Sequence, residues 1–380
     1  MALPSTIERM TQAFDICIRG GGIVGRTLAL LLARERLHVG LVVPKRPANG
    51  VKDVRAYALN AKSKKLLESL RCWPDDEHAT EITTMVVKGD EGGEVNFSAT
   101  ELGGSGLTWI VDVSALDARL DEAVRFQPAI EVLDAPPEAT LTVICEGMNS
   151  STRAEFGVDY AARPYAQRAI AARLDCQIPH GQTARQWFSG GEILAFLPLD
   201  GPQGNSVAIV WSVHEGRAQA LLDEDPQEFC RQLEVLSGGC LGALTLSSLR
   251  SAWPLQMAQA LQWTGTHGDK AWALAGDAAH SLHPLAGQGL NLGLSDVVAL
   301  AATLHQREYW RPVGDAKLLR RYERSRKAEV LTLSATMDGL QQLFSQSGGT
   351  WQTARNLGMS GFERSGPIKE WVARQAMGLS

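Results

Sequence analysis

The sequence predicts an α/β protein: a parallel sheet interrupted by an inserted antiparallel β-sheet domain and followed by a helical C-terminal region. Three observations carry this. β-runs alternate with helical patterns near both ends of the chain, a glycine-rich turn joins strand to helix at each end, and the middle is dominated by short alternating apolar runs. A chain of 380 residues has material for two or three domains, and 44% apolar with 21% charged residues is ordinary globular composition rather than that of a disordered chain.

The opening unit reads as a strand over Phe14 to Arg19, a glycine turn, a helix over Arg26 to Arg36 and a second strand over His38 to Val43. In the middle, Ala169 to Leu174, Ile193 to Leu199 and Ser206 to Trp211 read as strands of one antiparallel sheet. Ala271 to Ala275 forms another buried β-run, followed by glycines and a helix over Leu290 to His305. Val330, Leu333, Met337, Leu340 and Phe344 alternate at spacings of three and four, an amphipathic helix, and Ile368, Trp371, Val372 and Ala376 have a similar spacing.

The bulk properties exclude several functions. A net charge of −5 with scattered Lys and Arg gives no footprint for nucleic acid. Six widely spaced cysteines without a C-x-x-C pair read as buried thiols in a reducing compartment, with no metal site. Neither a signal peptide nor a run of about 18 apolar residues is visible, so cytoplasmic residence is expected, with contact to the inner membrane only from its surface.

Gly20-Gly21-Gly22-Ile23-Val24-Gly25 fits G-x-G-x-x-G in the strand-to-helix context that gives the pattern meaning. Gly20 permits the tight turn, Gly22 lets the backbone approach a pyrophosphate, and Gly25 lets helix and strand pack closely. Two residues depart from the pattern. Val43 occupies the end of the second strand, where an acidic residue usually holds ribose hydroxyls, and Arg19 stands where a buried strand residue is expected.

The second glycine cluster, Gly287, Gly289 and Gly293, lies at and just inside a helix start, where each glycine costs ~1 kcal/mol relative to Ala. Something must approach that backbone closely. A planar, partly anionic ring such as reduced flavin across the helix N-terminus accounts for it. His283 is a candidate acid–base residue, although His280 and His283 can equally cap the turn or pack.

The stretch from Leu274 to Asp296 resembles the G-D-A-A-H…H-P…A-G-Q-G-x-N-x-G-x-x-D signature of flavoprotein hydroxylases related to p-hydroxybenzoate hydroxylase, and is most similar to their ubiquinone-biosynthesis branch. The resemblance implies that Gly276 and Asp277 hold the ribityl and pyrophosphate region of FAD, and that Pro284, Gly287, Gln288, Gly289, Leu290 and Asn291 face the isoalloxazine ring. Asp53 to Leu59 resembles D-x-R-x-x-A-L, which implies that Arg55 reaches the cofactor. Val143 to Arg153 resembles A-D-G-x-x-S-x-x-R, with Glu146 in place of Asp at another cofactor contact. Likeness continues through the central sheet, with Phe196 expected to face substrate, and to the tail from Arg355 to Leu379. Between Val132 and Val143 a short Pro-containing link stands where the family usually has a β-meander.

The implied organisation is a discontinuous, Rossmann-type FAD-binding domain of residues 12-73, 110-160 and 265-335. A β-sheet substrate domain of residues 74-109 and 161-264 and a helical region of residues 336-380 complete it. The implied activity is monooxygenation: NADPH or NADH reduces FAD, and O2 provides the oxygen that hydroxylates an aromatic, polyprenylated phenol in ubiquinone biosynthesis. Such a substrate implies contact with the membrane surface or a biosynthetic complex, for which the segment around Trp371 is a candidate, intramolecular packing being its other use. The competing reading is an FAD-deficient scaffold or lipid-binding subunit, drawn from Val43, Arg19, Glu146 and the short link.

Overall fold

The computed structural model describes residues 14–44, 53–89, 92–281, 288–345, 365–366, 369–370, 374 and 377. A six-stranded sheet runs in the order Thr264–His267, Lys270–Leu274, Ala139–Ile144, Phe14–Arg19, Val39–Val42 and Ile130–Leu133. All its neighbours pair in parallel except the hairpin formed by the first two. The central strands are apolar on both faces because both are covered: Ile16, Ile18, Val39, Leu41, Leu141 and Val143 have essentially no exposure. The helices Ile23–Arg34 and Gly289–His305 pack against each other, and Leu28, Leu32, Leu294, Val297 and Leu300 join the strand residues in one core.

The expected first strand is found at Phe14–Arg19, while the first helix begins earlier than its apolar pattern suggested, at Ile23. Ile130–Leu133 passes through residues 134–138 directly into Ala139–Ile144, so the short link joins two strands of the same sheet.

A nine-stranded sheet forms the second body. Its centre is the 17-residue strand Tyr160–Cys176, paired antiparallel with Ser206–His214 on one side and Ser251–Ala260 on the other. Glu192–Leu199, Thr183–Ser189, Thr84–Lys88 and Glu94–Ser98 extend it. One face is covered by the helices Glu215–Asp223 and Pro226–Ser237. The second is locally encoded at both ends. Asp225 accepts from the amides of Gln227 and Glu228, Pro226 opens the first turn, and Gly238 closes the helix at φ 65°.

The opposite face carries Ala184, Leu197, Leu199 and Ala208. It packs on a small three-stranded sheet of Ala56–Leu59, Thr108–Asp112 and Ala79–Ile82 through Ala56, Ile82 and Ile110. Ala79–Ile82, expected in the substrate sheet, therefore lies in the small sheet at the seam between the two bodies.

This arrangement corrects the expectation for Phe196. Its ring is fully buried on the helix-covered face, edge-on to Trp187 at 5.0 Å and clustered with Ile209, Trp211 and Phe229. Strand alternation sends its neighbours Ala195 and Leu197 to the other face. Phe196→Ala should therefore cost ~3–5 kcal/mol of stability by cavity formation and leave KM for the aromatic substrate unchanged. Denaturant unfolding with steady-state kinetics checks this; a raised KM without lost stability would contradict the assignment.

Candidate cofactor site

The site lies where strands of the parallel sheet end and feed two glycine-rich helix starts. Gly20 turns the chain at φ 118°, a conformation that favours glycine, after the first strand. A Cβ on Gly25 would fall 1.9 Å from the Gly20 carbonyl oxygen, so only hydrogen fits where the helix leans on the turn. The second helix start is brought against the first by the same device. A Cβ on Gly293 would lie 2.9 Å from Val24 Cγ2 and 3.3 Å from Gly276 Cα. Two regions far apart in sequence thus converge, residues 20–25 with Gly276–Ala278 and residues 288–293.

Among the described residues, neither helix start is capped by a side-chain hydrogen bond, from Gly22 or from Gln288, and neither first turn contains an acidic residue. Two neighbouring helix N-termini, each carrying roughly half a positive charge, therefore favour anionic groups. A Cβ on Gly22 or on Gly289 would meet nothing within 4 Å, so main chain there is open to a ligand.

Asp277 stands between these helix starts. It is open to solvent yet walled by protein, and this burial raises its carboxyl above the ordinary value, with His280 and Arg55 pulling in the opposite direction. That combination describes the floor of a concave site. Arg55 lies near enough for its charge to act on Asp277. It is forked onto Asp53, with Nη2 2.6 Å from Oδ2 and Nε 2.9 Å from Oδ1, and it lies 5.8 Å from the centre of the Tyr57 ring.

The turn that presents Asp277 is held from behind. Asp296, without solvent exposure, accepts from the Gly276 amide at 2.9 Å, His280 Nε2 at 2.7 Å and Arg326 Nε at 2.8 Å. Burial opposes the Asp296 charge, but His280 and Arg326 outweigh it and hold the carboxyl below the usual aspartate range. The His280 ring stacks on Trp263 at 5.0 Å, so its partner and its packing fix its position. From the other side, Tyr160 donates its hydroxyl to the Asp277 carbonyl at 3.0 Å, and Arg153 donates to the Ala278 carbonyl at 3.0 Å while covering the Tyr160 ring. Burial lifts the Tyr160 phenol to about 12, which keeps it a donor at neutral pH.

Several expected cofactor contacts have other duties. Asn291 is buried and committed: its Oδ1 accepts from Asn60 N at 3.0 Å and Ser63 Oγ at 2.7 Å, and its Nδ2 donates to the Ala58 carbonyl at 2.9 Å. Its side chain ties the second helix start to the small sheet, and only its backbone is left for a ligand. Glu146 is likewise engaged. It accepts from Ser150 Oγ at 2.7 Å and from the Thr152 amide and hydroxyl at 3.0 and 2.6 Å, and it faces Arg19 Nε at 3.3 Å.

Arg19 is thus no misplaced core residue, for it pairs with Glu146 and with Glu155 at 3.2 Å. The structure does not bring the Glu146 carboxylate to the recess as a free group. Val43 packs over Gly21, whose Cβ would lie 2.6 Å from Val43 Cγ2, so an apolar side chain fills the place expected for a ribose-binding acid. His283, Pro284 and Gly287 lie outside the described residues.

The residues present fit FAD at its phosphate and ring ends, because open glycine backbone, uncapped amides and one recessed carboxylate meet in a single groove. Two glycine-opened helix starts on a parallel sheet, tied through the small three-stranded sheet to a large antiparallel one, describe a dinucleotide-binding protein with a second, β-sheet domain. Residues 137–334 match the FAD binding domain family. The 3-demethoxyubiquinol 3-hydroxylase of Escherichia coli strain K12 is 30% identical over 97% of this chain and 99% of its own. The ubiquinone hydroxylase UbiL of Rhodospirillum rubrum is 30% identical over 96% of this chain and 89% of its own. PqsL of Pseudomonas aeruginosa, a probable FAD-dependent monooxygenase, has the same fold at a TM-score of 0.76 and 20% identity, covering 92% of this chain and 100% of that one. The chain belongs to the family of FAD-dependent hydroxylases that contains the ubiquinone-biosynthesis enzymes, and is an FAD-dependent monooxygenase.

Removing Asp296 should strand His280 and Arg326 and release the Gly276 amide. Asp296→Ala is expected to cost ~3–5 kcal/mol of stability at neutral pH. Because the folded carboxyl lies below its unfolded value of ~3.9, the wild-type contribution is complete above that value and is lost as pH falls below it and through the lower folded value. The gap between the denaturant midpoints of the two proteins should therefore be wide near neutral pH and narrow progressively below about pH 4; a pH-independent gap would contradict the charge assignment.

Proposed function

We propose that this chain hydroxylates an electron-rich phenol bearing a polyprenyl tail, using FAD with NADPH or NADH as reductant and O2 as the oxygen source. The observation that carries the reading is the junction of two uncapped, glycine-opened helix starts with Asp277 between them. The substrate class rests on the names of the full-length relatives, a demethoxyubiquinol hydroxylase and a ubiquinone hydroxylase.

The amides from Gly22 to Gly25 receive the pyrophosphate, where the dipole of the first helix favours its charge. Asp277 accepts hydrogen bonds from hydroxyl groups of the sugar-alcohol chain. The amides of Gly289 and Leu290 face the ring end, where a preformed partial positive charge stabilises the reduced, anionic ring without reorganisation. FAD held by these residues would supply the redox chemistry, accepting hydride from the nicotinamide and activating O2 for hydroxylation of the phenol. Leu197 and Ala195 lie on the sheet face turned away from the helices and are only half-buried beside the small three-stranded sheet, which leaves apolar side chain there for an aromatic ring.

Among the described residues no helix is long and apolar enough to cross a membrane. A lipid-borne substrate therefore calls for cytoplasmic residence with contact at the inner-membrane surface or with a partner enzyme. Trp371 lies outside the described residues; nearby, Met377 is buried against Ala99, Leu102 and Leu107, which supports intramolecular packing at that residue. The rival reading, a subunit that keeps the fold without FAD, draws on Val43 over Gly21 and on the internal commitments of Glu146.

Incubation with NADPH or NADH, O2 and a short-chain prenylated phenol should yield a product heavier by one oxygen atom, detected by mass. Asp277→Ala should stay folded and bind FAD about tenfold to a hundredfold more weakly, the worth of a charged hydrogen bond. A variant that retains wild-type FAD affinity would contradict the cofactor placement, and oxidation of the nicotinamide without phenol hydroxylation would contradict the substrate class.

A further inference from the structure

The strand Tyr160–Cys176 of the large sheet sends one long cation across the seam. Arg173 Nη1 lies 2.6 Å from Asp112 Oδ2, its Nε donates to the Val54 carbonyl at 3.3 Å, and its Nη2 reaches the Asp53 carbonyl at 3.5 Å. The side chains of Arg173 and Asp112 are only 16% and 8% exposed, so the pair is shielded from solvent screening. Asp112 also caps the helix Val113–Arg125 by accepting from the Ser114 amide at 2.8 Å, and that helix holds Arg26 of the first helix through Asp117 and Asp121. The segment that Arg173 grips is the one bearing Arg55. Asp53 receives the Arg55 amide at 3.0 Å and its guanidinium at 2.6 Å, so gripping Asp53 and Val54 by their carbonyls sets where Arg55 stands relative to Asp277.

We infer that Arg173 is a positioning residue that transmits the placement of the substrate sheet to Arg55, so that FAD affinity depends on a side chain outside the cofactor-binding sheet. The inference rests on the flavoprotein reading. Its geometric content is the fork: three donors of one planar guanidinium serve a carboxylate and two consecutive carbonyls, which a lysine ammonium on a different stem cannot reproduce.

The test compares wild type, Arg173→Lys and Arg173→Met as full chains, by FAD titration of the flavin-free protein, thermal unfolding without FAD, and the flavin absorbance band. Arg173→Met should bind FAD at least about tenfold more weakly and shift the band. Arg173→Lys should recover most of the thermal stability, because it keeps a charge opposite Asp112, but not the FAD affinity. A purely structural role predicts the reverse pairing, in which affinity follows stability, and Arg173→Lys with wild-type affinity overturns the proposal even if Arg173→Met fails to fold. A wild-type chain that takes up no FAD overturns the flavoprotein reading itself, an outcome distinct from one confined to the variants.

Discussion

A carboxylate with no access to water must be answered by protein donors, and in this chain the answer organises the site. Asp296 comes from the second glycine-opened helix, the Gly276 amide from the short turn Gly276–Ala278, His280 from the two-residue strand His280–Ser281, and Arg326 from the long helix Ala316–Ser345. Because each donor belongs to a different element, satisfying one buried charge fixes the relative position of four, the helix of Asp296 included. The exposed Asp277 is one residue away from the bonded amide, so the carboxylate offered to a ligand inherits its place from the one that is hidden. Arg153 and Tyr160 hold the same turn by its carbonyls, leaving its backbone little freedom.

The same logic of commitment separates residues that touch a ligand from residues that hold those that do. Asn291 and Glu146 are polar, stand in motifs that point to a cofactor, and have side chains spent on neighbours within the protein. What they supply is geometry: Asn291 staples a helix start to the small sheet, and Glu146 organises the turn before Ser151–Glu155. Open main chain at Gly22 and Gly289 is the part left for a ligand.

Much of the fold could be read from local sequence. The strand at Phe14–Arg19, the glycine turn and both site helices are short-range patterns in which apolar period, glycine and chain direction agree, and the antiparallel middle announces itself by alternation. Partnerships across long separations were not legible. Nothing near Arg173 in sequence points to Asp112 or Val54, and nothing near His280 names Trp263. Phe196 shows the limit most plainly, since alternation establishes that its two neighbours face oppositely to it but not which face the helices Glu215–Asp223 and Pro226–Ser237 will cover. Val43 was visible as a departure, whereas its packing on Gly21 required the register of the first two strands.

That packing and the internal engagement of Glu146 leave the phosphate and ring ends of the groove as its principal holding points. Whether those two stretches of exposed backbone suffice is decided by equilibrium titration of the purified, flavin-free wild-type chain with FAD, followed by absorbance and by the amount retained after gel filtration. The account predicts saturation at one FAD per chain and a yellow protein. A chain that saturates with none, and elutes colourless from an excess of FAD, would contradict it.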